Sequence, residues 1–278
     1  MHLAEKLSIA IRHNKHLEHS TWLWNKVRPL YDRVVSITGH RGLKRVINDT
    51  DSILVSPKCR GVIEEYEPDV WRSLMAEIRA GDWVADIGTF IGLYTISLGK
   101  RVGPKGRVFA FEPDPRNFAM LEENVRLNGL DGRVELVCAA AGSSDGEVCF
   151  ASEAIESHVV PGMIDAAADG KLRVKCVTLD SIFADNRLDV MKIDVEGYEE
   201  RVLQGAKRLL SERNPSPRVL YIEVHPYAWP EIGTTSDSLL DLLKNYHYEV
   251  ATLQGEPVRS ISQYGEIIAR KVGTAEWT

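Results

Sequence analysis

A glycine turn and a downstream carboxylate are the first residues whose types and spacing suggest chemistry. Asp86-Ile87-Gly88-Thr89-Phe90-Ile91-Gly92 follows one apolar run, and Glu112 ends the next run, twenty residues beyond Gly92. Glycine lets a backbone come close to a ligand, and a carboxylate at the end of a second strand accepts both hydroxyl protons of a ribose. The layout predicts an adenosine-containing cofactor at the carboxyl ends of the strands. A dinucleotide needs Gly-x-Gly-x-x-Gly so that its pyrophosphate can rest on a helix N-terminus; here the spacing is Gly88-x-x-x-Gly92, with Asp86 just ahead. An acidic turn repels a pyrophosphate. S-adenosylmethionine has no phosphate and carries an ammonium, a carboxylate and a sulfonium, so the turn favours it over a dinucleotide.

A second group sits further along. Asp194, Glu196 and His225 fall at the predicted carboxyl ends of the fourth and fifth strands, where a base for a hydroxyl acceptor would lie. Each has a competing reading. His225 precedes Pro226 and either takes a proton or orients the strand turn, Glu196 is either catalytic or a carboxylate favoured by a helix start, and Asp194 either acts as a base or positions an amine or hydroxyl. With Glu223, the same residues could hold a divalent cation, but carboxylates gather at such strand ends anyway, and no metal is expected. His158 is an alternative base.

These residues need a scaffold. Apolar runs at 83–87, 108–112, 134–138, 190–194 and 219–223 alternate with helical stretches, the pattern of an α/β domain with a parallel sheet. Asp114 and Pro115 start a helix that Gly129 closes. Runs at 248–253 and 266–269 are too close for a helical crossover, which predicts an antiparallel pair at the sheet edge. The segment from 151 to 172 is irregular and long for an idle connection, and is expected to be a lid that selects the acceptor.

Residues 1–56 read as a helical N-terminal extension and 57–278 as the cofactor-binding domain. The extension carries His2, His13, His16, His19 and His40, read as a polar helix face, together with Trp22 and Trp24. It is expected to cover the mouth of the site or to mediate self-association, because two exposed tryptophans are costly.

The 278 residues carry 34 basic against 40 acidic side chains, a net charge of −6, so the cationic surplus of a nucleic-acid binder is missing. Cysteines at 59, 138, 149 and 176 form no Cys-x-x-Cys pair, and reduced thiols in a cytoplasmic protein are expected. No stretch approaches a membrane span.

Several spaced motifs resemble the FkbM family of S-adenosylmethionine-dependent methyltransferases. The most specific is Lys192-Ile193-Asp194-Val195-Glu196-Gly197-Tyr198-Glu199. Tyr66-Glu67-Pro68, Asp86-Ile87-Gly88 with Gly92, Phe111-Glu112-Pro113, Asn124 with Leu127-Asn128-Gly129, Leu179-Asp180 and Ile222-Glu223-Val224-His225 support it. The resemblance implies a Rossmann-like class I fold, a mostly parallel seven-stranded sheet with one antiparallel strand. It implies cofactor contacts at Glu67, Asp86, Gly88, Thr89, Phe90, Gly92, Glu112, Pro113 and Asp194, with backbone groups of Ala139 and Ala140 at the adenine. It also implies O-methylation of a sugar, glycan or secondary metabolite. Transfer to nitrogen, or donor binding without turnover as a scaffold, are the alternatives.

Overall fold

The computed structural model describes residues 41–59, 61–152, 157–160, 171–213 and 215–273. The described part opens with a hairpin, β1 (Leu43–Ile47) and β2 (Asp51–Val55), paired antiparallel. The sequence reading places residues 43–55 within a helical extension, and the structure corrects this. Leu43, Ile47, Ile53 and Val55 bury one face in strand alternation, and Asn48 and Asp49 turn the chain at positive φ. Residues 1–40, with the tryptophans and five of the histidines, lie outside the described residues.

Next come α1 (Pro68–Glu77), β3 (Trp83–Ile87), α2 (Leu93–Arg101), β4 (Arg107–Phe111), α3 (Pro115–Leu127) and β5 (Val134–Val137). Asp114 caps α3 by accepting from the Arg116 N–H, as its sequence predicts. At the other end of α3, Asn124 and Asn128 accept from the backbone of Ser56 and Leu54 and so tie β2 to the domain. The strands β6 (Ala140–Ala141), β7 (Gly146–Ser152), β8 (Ser157–Val160) and β9 (Lys171–Val177) form a separate sheet in the order β6-β9-β7-β8. The segment expected as a lid thus contributes a strand, β8, to this small sheet; residues 153–156 and 161–170 lie outside the described residues.

The chain continues through α4 (Leu179–Ile182), β10 (Val190–Ile193), α5 (Glu199–Gln204), β11 (Val219–Val224), α6 (Trp229–Ile232), α7 (Ser236–Asn245), β12 (Tyr248–Thr252) and β13 (Gly265–Lys271). Seven strands form the main sheet in the order β12-β13-β11-β10-β3-β4-β5. Pairings from β11 to β5 are parallel, and β13 runs antiparallel to both β11 and β12. The last two runs do pair antiparallel, and the final strand inserts inside its predecessor, leaving β12 at the edge. The order reverses between β3 and β10, so their carboxyl ends open a crevice, the usual ligand position in such sheets.

Candidate functional site

Beyond the carboxyl ends of β3, β4 and β10 lies a cavity of about 430 Å³, within the range of about 300–1,000 Å³ common for small-molecule sites. Gly88, Phe90, Glu112, Pro113, Ala139, Ala140, Asp194 and Glu196 all line it, with Ile87, Phe111, Val195 and Tyr198 among its apolar walls. Sequence reasoning names the first eight. Three lining residues are carboxylates, and none of the described ones is basic.

Glu112 closes one end. Its carboxylate accepts from the Phe90 N–H at 2.9 Å and the Asp114 N–H at 2.9 Å. Burial pushes its pKa up to about 7 against these hydrogen bonds and one from Asn117. A carboxylate offers about four lone-pair directions, so acceptor capacity remains for ribose hydroxyls. Ala139 donates its N–H to the Val137 carbonyl at 2.9 Å, which removes that group as a contact for adenine.

The glycine turn is tightly packed. A Cβ on Gly88 would lie 1.6 Å from the Asp194 carbonyl oxygen, and one on Gly92 would lie 2.4 Å from Leu121 Cδ1. Both residues also have positive φ. Neighbouring protein atoms by themselves require these glycines, and Gly92 is not among the lining residues.

Glu67, Asp86, Thr89 and His225 are also outside the lining. Asp86 is buried, accepts from Thr95 Oγ1 at 2.6 Å and has its pKa raised by burial to about 6. It holds α2 to β3 from behind the turn. Glu67 accepts from the Tyr94 hydroxyl at 2.9 Å, beside the lining residue Tyr66. Thr89 is buried, and its Oγ1 has no hydrogen-bond partner among the described residues.

At the other end of the cavity, β10 and β11 bring Asp194, Glu196 and His225 within 4.8 Å of one another, measured between one donor atom of each. His225 is buried, and its Nδ1 lies 2.7 Å from Glu199 Oε1. A carboxylate accepts, so Nδ1 carries the proton and Nε2 is left to act; it lies 3.4 Å from Glu196 Oε2. Glu199 is fully buried and accepts in addition from the Gly197 N–H at 2.8 Å and Trp229 Nε1 at 2.9 Å. Burial opposes the charged imidazole, but the hydrogen bond and charge of Glu199, with Glu196 and Asp194 behind it, raise the His225 pKa above its ordinary value. Sequence reasoning includes Glu199 in a motif and gives it no role; the signal is a second acidic residue three positions after Glu196.

Lys192 escapes the sequence reading in the same way. It is fully buried, with Nζ 3.1 Å from Asp194 Oδ2, 3.9 Å from Glu223 Oε2 and 4.8 Å from the centre of the Tyr94 ring. Burial disfavours its charge, yet Asp194, Glu266 and Glu223 hold it ionised. It is an internal counter-ion for the acidic end of the site.

The chain is similar to several known proteins. Hexuronic acid methyltransferase AglP of Haloferax volcanii is 30% identical over 162 residues, 57% of this chain and 62% of that protein, so the match spans less than two thirds of the relative's length. Methyltransferase 1 of Beauveria bassiana is 21% identical over 184 residues, 57% of this chain and 73% of its own. Among solved structures, precorrin-6y C5,15-methyltransferase from Geobacter metallireducens overlaps with a TM-score of 0.43 at 17% identity, covering 75% of this chain and 90% of the other. The methyltransferase FkbM domain matches residues 86–250, which run from the glycine turn through the Asp194, Glu199 and His225 cluster to β12 and make up more than half of the sequence; this chain belongs to that family.

Proposed function

We propose that this chain transfers a methyl group from S-adenosylmethionine to a hydroxyl oxygen of a small-molecule or glycan acceptor, with His225 as general base and Glu199 as its positioning residue. The observation that carries the reading is a cavity with acidic ends and no basic side chain among its described lining residues, set beside a buried histidine whose Nδ1 is held by Glu199 and whose Nε2 faces Glu196 on the cavity wall. Acidic ends suit a cationic donor and repel the phosphates of a dinucleotide. Glu112 would hold the ribose, Ala140 and the apolar walls the adenine, and Asp194 with Gly88 the methionine end.

When bound, the donor supplies an electrophilic methyl group on a sulfonium. His225 Nε2 would take the proton of the acceptor hydroxyl as that oxygen takes up the methyl group, for which the donor would supply a neutral thioether as leaving group. Glu199 fixes the imidazole tautomer and favours the imidazolium that forms. Glu196, on the cavity wall, sits against Nε2 at the point where the acceptor would enter. The apolar walls keep water from competing.

The similarity to a hexuronic acid methyltransferase supports a sugar acceptor. Incubation with methyl-labelled donor and a panel of hydroxyl and amine acceptors tests the proposal. Label on hydroxyl compounds is the expected outcome; label confined to amines overturns the oxygen assignment. Donor binding by calorimetry with no labelled product across the panel overturns the enzymatic reading.

A further inference from the structure

Two tyrosines flank the base and take no part in the mechanism above. Tyr227 and Tyr264 are 63% and 60% exposed, unusual for large side chains in this structure. Their rings lie 5.8 Å and 5.3 Å from the His225 imidazole, centre to centre, at 89° and 52° to it. Neither is a loose surface ring. The Tyr227 hydroxyl donates to Glu196 Oε2 at 2.7 Å, and the Tyr264 hydroxyl donates to Glu223 Oε1. Carboxylates of the site thus anchor two aromatic rings beside the base, with much of their surface open to solvent.

The electrostatics of the same corner narrow what can lie there. Asp194, Glu196 and Glu199 stand beside His225 and the buried Lys192, which Asp194 and Glu223 already engage, while burial raises the carboxyl pKa of both Glu223 and Glu266. Glu223 Oε2 and both Glu266 carboxyl oxygens are buried with no hydrogen-bond partner among the described residues, so the corner has polar groups to spare for a hydroxylated ligand. Aromatic faces stack on flat, apolar ring surfaces, and an anionic ligand would meet like charge.

Building on the proposed methyl transfer, we infer that Tyr227 and Tyr264 form the acceptor subsite. They hold a hydroxylated ring, a pyranoside bearing no negative charge, across His225, and the surrounding carboxylates exclude an acidic sugar. This separates the chain from a relative that acts on a hexuronic acid. A ring that carries an ammonium gains from the same carboxylates, so an amino sugar fits better than its neutral parent.

Saturation-transfer NMR on the full chain with S-adenosylhomocysteine tests the subsite, using methyl β-D-glucopyranoside, methyl β-D-glucosaminide and methyl β-D-glucuronide as probes. Ring protons of the first two should receive saturation, the glucosaminide more strongly, and those of the glucuronide should not. Tyr227→Ala and Tyr264→Ala should each weaken binding of the glucosaminide by about three- to tenfold, and Tyr264→Phe, which keeps the ring, should lose less. Saturation of the glucuronide equal to that of the glucoside, no saturation of any probe, or alanine variants that bind as well as the parent would each overturn the subsite. The comparison of the three sugars uses the unaltered protein and does not depend on any variant folding. Calorimetry with S-adenosylhomocysteine on the same samples separates the two readings: retained binding with a failed sugar result removes the subsite alone, whereas no binding to the unaltered protein removes the methyl-transfer reading beneath it.

Discussion

On the central strands β3, β10 and β11, one face of the sheet is apolar, and the other becomes charged at its carboxyl end. On the first face Ala85, Ile87, Phe109, Phe111, Met191, Ile193, Leu220, Ile222 and Val224 pack against Val202, Leu203, Leu239 and Leu243. The second face begins alike, with Val84, Val108, Val190 and Val219, and then presents Asp86, Lys192 and Glu223, all buried. Strand register makes the charges neighbours: Lys192 pairs beside Asp86 and Tyr221, and Glu223 lies opposite Glu266. A parallel sheet covered on both sides ordinarily favours continuous apolar strands. Buried ion clusters seldom add stability over an apolar replacement. The charged end lies beside the cavity that Asp194 and Glu196 line, and the apolar face is accounted for by packing.

That contrast can be broken by substitutions on each side. The largest effect is expected at the base: His225→Ala should lower turnover by about 10²- to 10⁴-fold while calorimetric donor affinity is retained. Turnover within about threefold of the parent would remove His225 from the chemistry. On the charged face, Lys192→Met leaves Asp194, Glu223 and Glu266 without their counter-ion and should cost about 3–5 kcal/mol in denaturant unfolding, with weaker S-adenosylhomocysteine binding in the folded protein. Phe109→Ala, on the apolar face, should cost a similar ~3–5 kcal/mol but leave that binding unchanged. Equal effects of the two on binding would erase the distinction between the faces.

Smaller effects sharpen it. Because the Glu199 hydrogen bond and charge raise the His225 pKa, Glu199→Gln should move the acidic limb of the pH–rate profile to lower pH. A limb that stays in place would mean that Glu199 is not the cause. The smallest signal is the pH dependence of stability without ligand. Burial lifts Asp86 to about 6 and Glu112 and Glu223 to about 7, so between their unfolded values and these values the native state binds more protons than the unfolded chain. Stability from these groups is complete below the unfolded values and is lost as pH rises through about 7. The raised His225 acts in the same direction, while Asp145, lowered mainly by the Thr178 N–H, acts the other way from an exposed position. Thermal unfolding should therefore occur at a higher temperature at about pH 5.5 than at about pH 8, and the reverse order would contradict the charged-face account.

The sequence by itself determined the parallel strands, because short apolar runs between helical stretches have few other uses. It also determined the capped start of α3 at Asp114 and Pro115, the placement of Glu112 after β4, and the gathering of Asp194, Glu196 and His225, since residues at adjacent carboxyl strand ends must be neighbours. It held the signal for the hairpin as well, in the alternation of Leu43, Ile47, Ile53 and Val55 around Asn48 and Asp49. Only the tertiary structure decided which charges face the cavity. Asp86 and Gly88 are two residues apart, yet strand alternation and the turn put Asp86 behind α2 and Gly88 on the cavity wall. Glu199 and His225 are 26 residues apart and meet because α5 folds back over the end of β11. Lys192 became a counter-ion because β10 lies between two strands that also carry carboxylates. Local pattern records periodicity and turn chemistry, whereas the pairing of buried charges depends on strand order and register, which no short stretch of sequence contains.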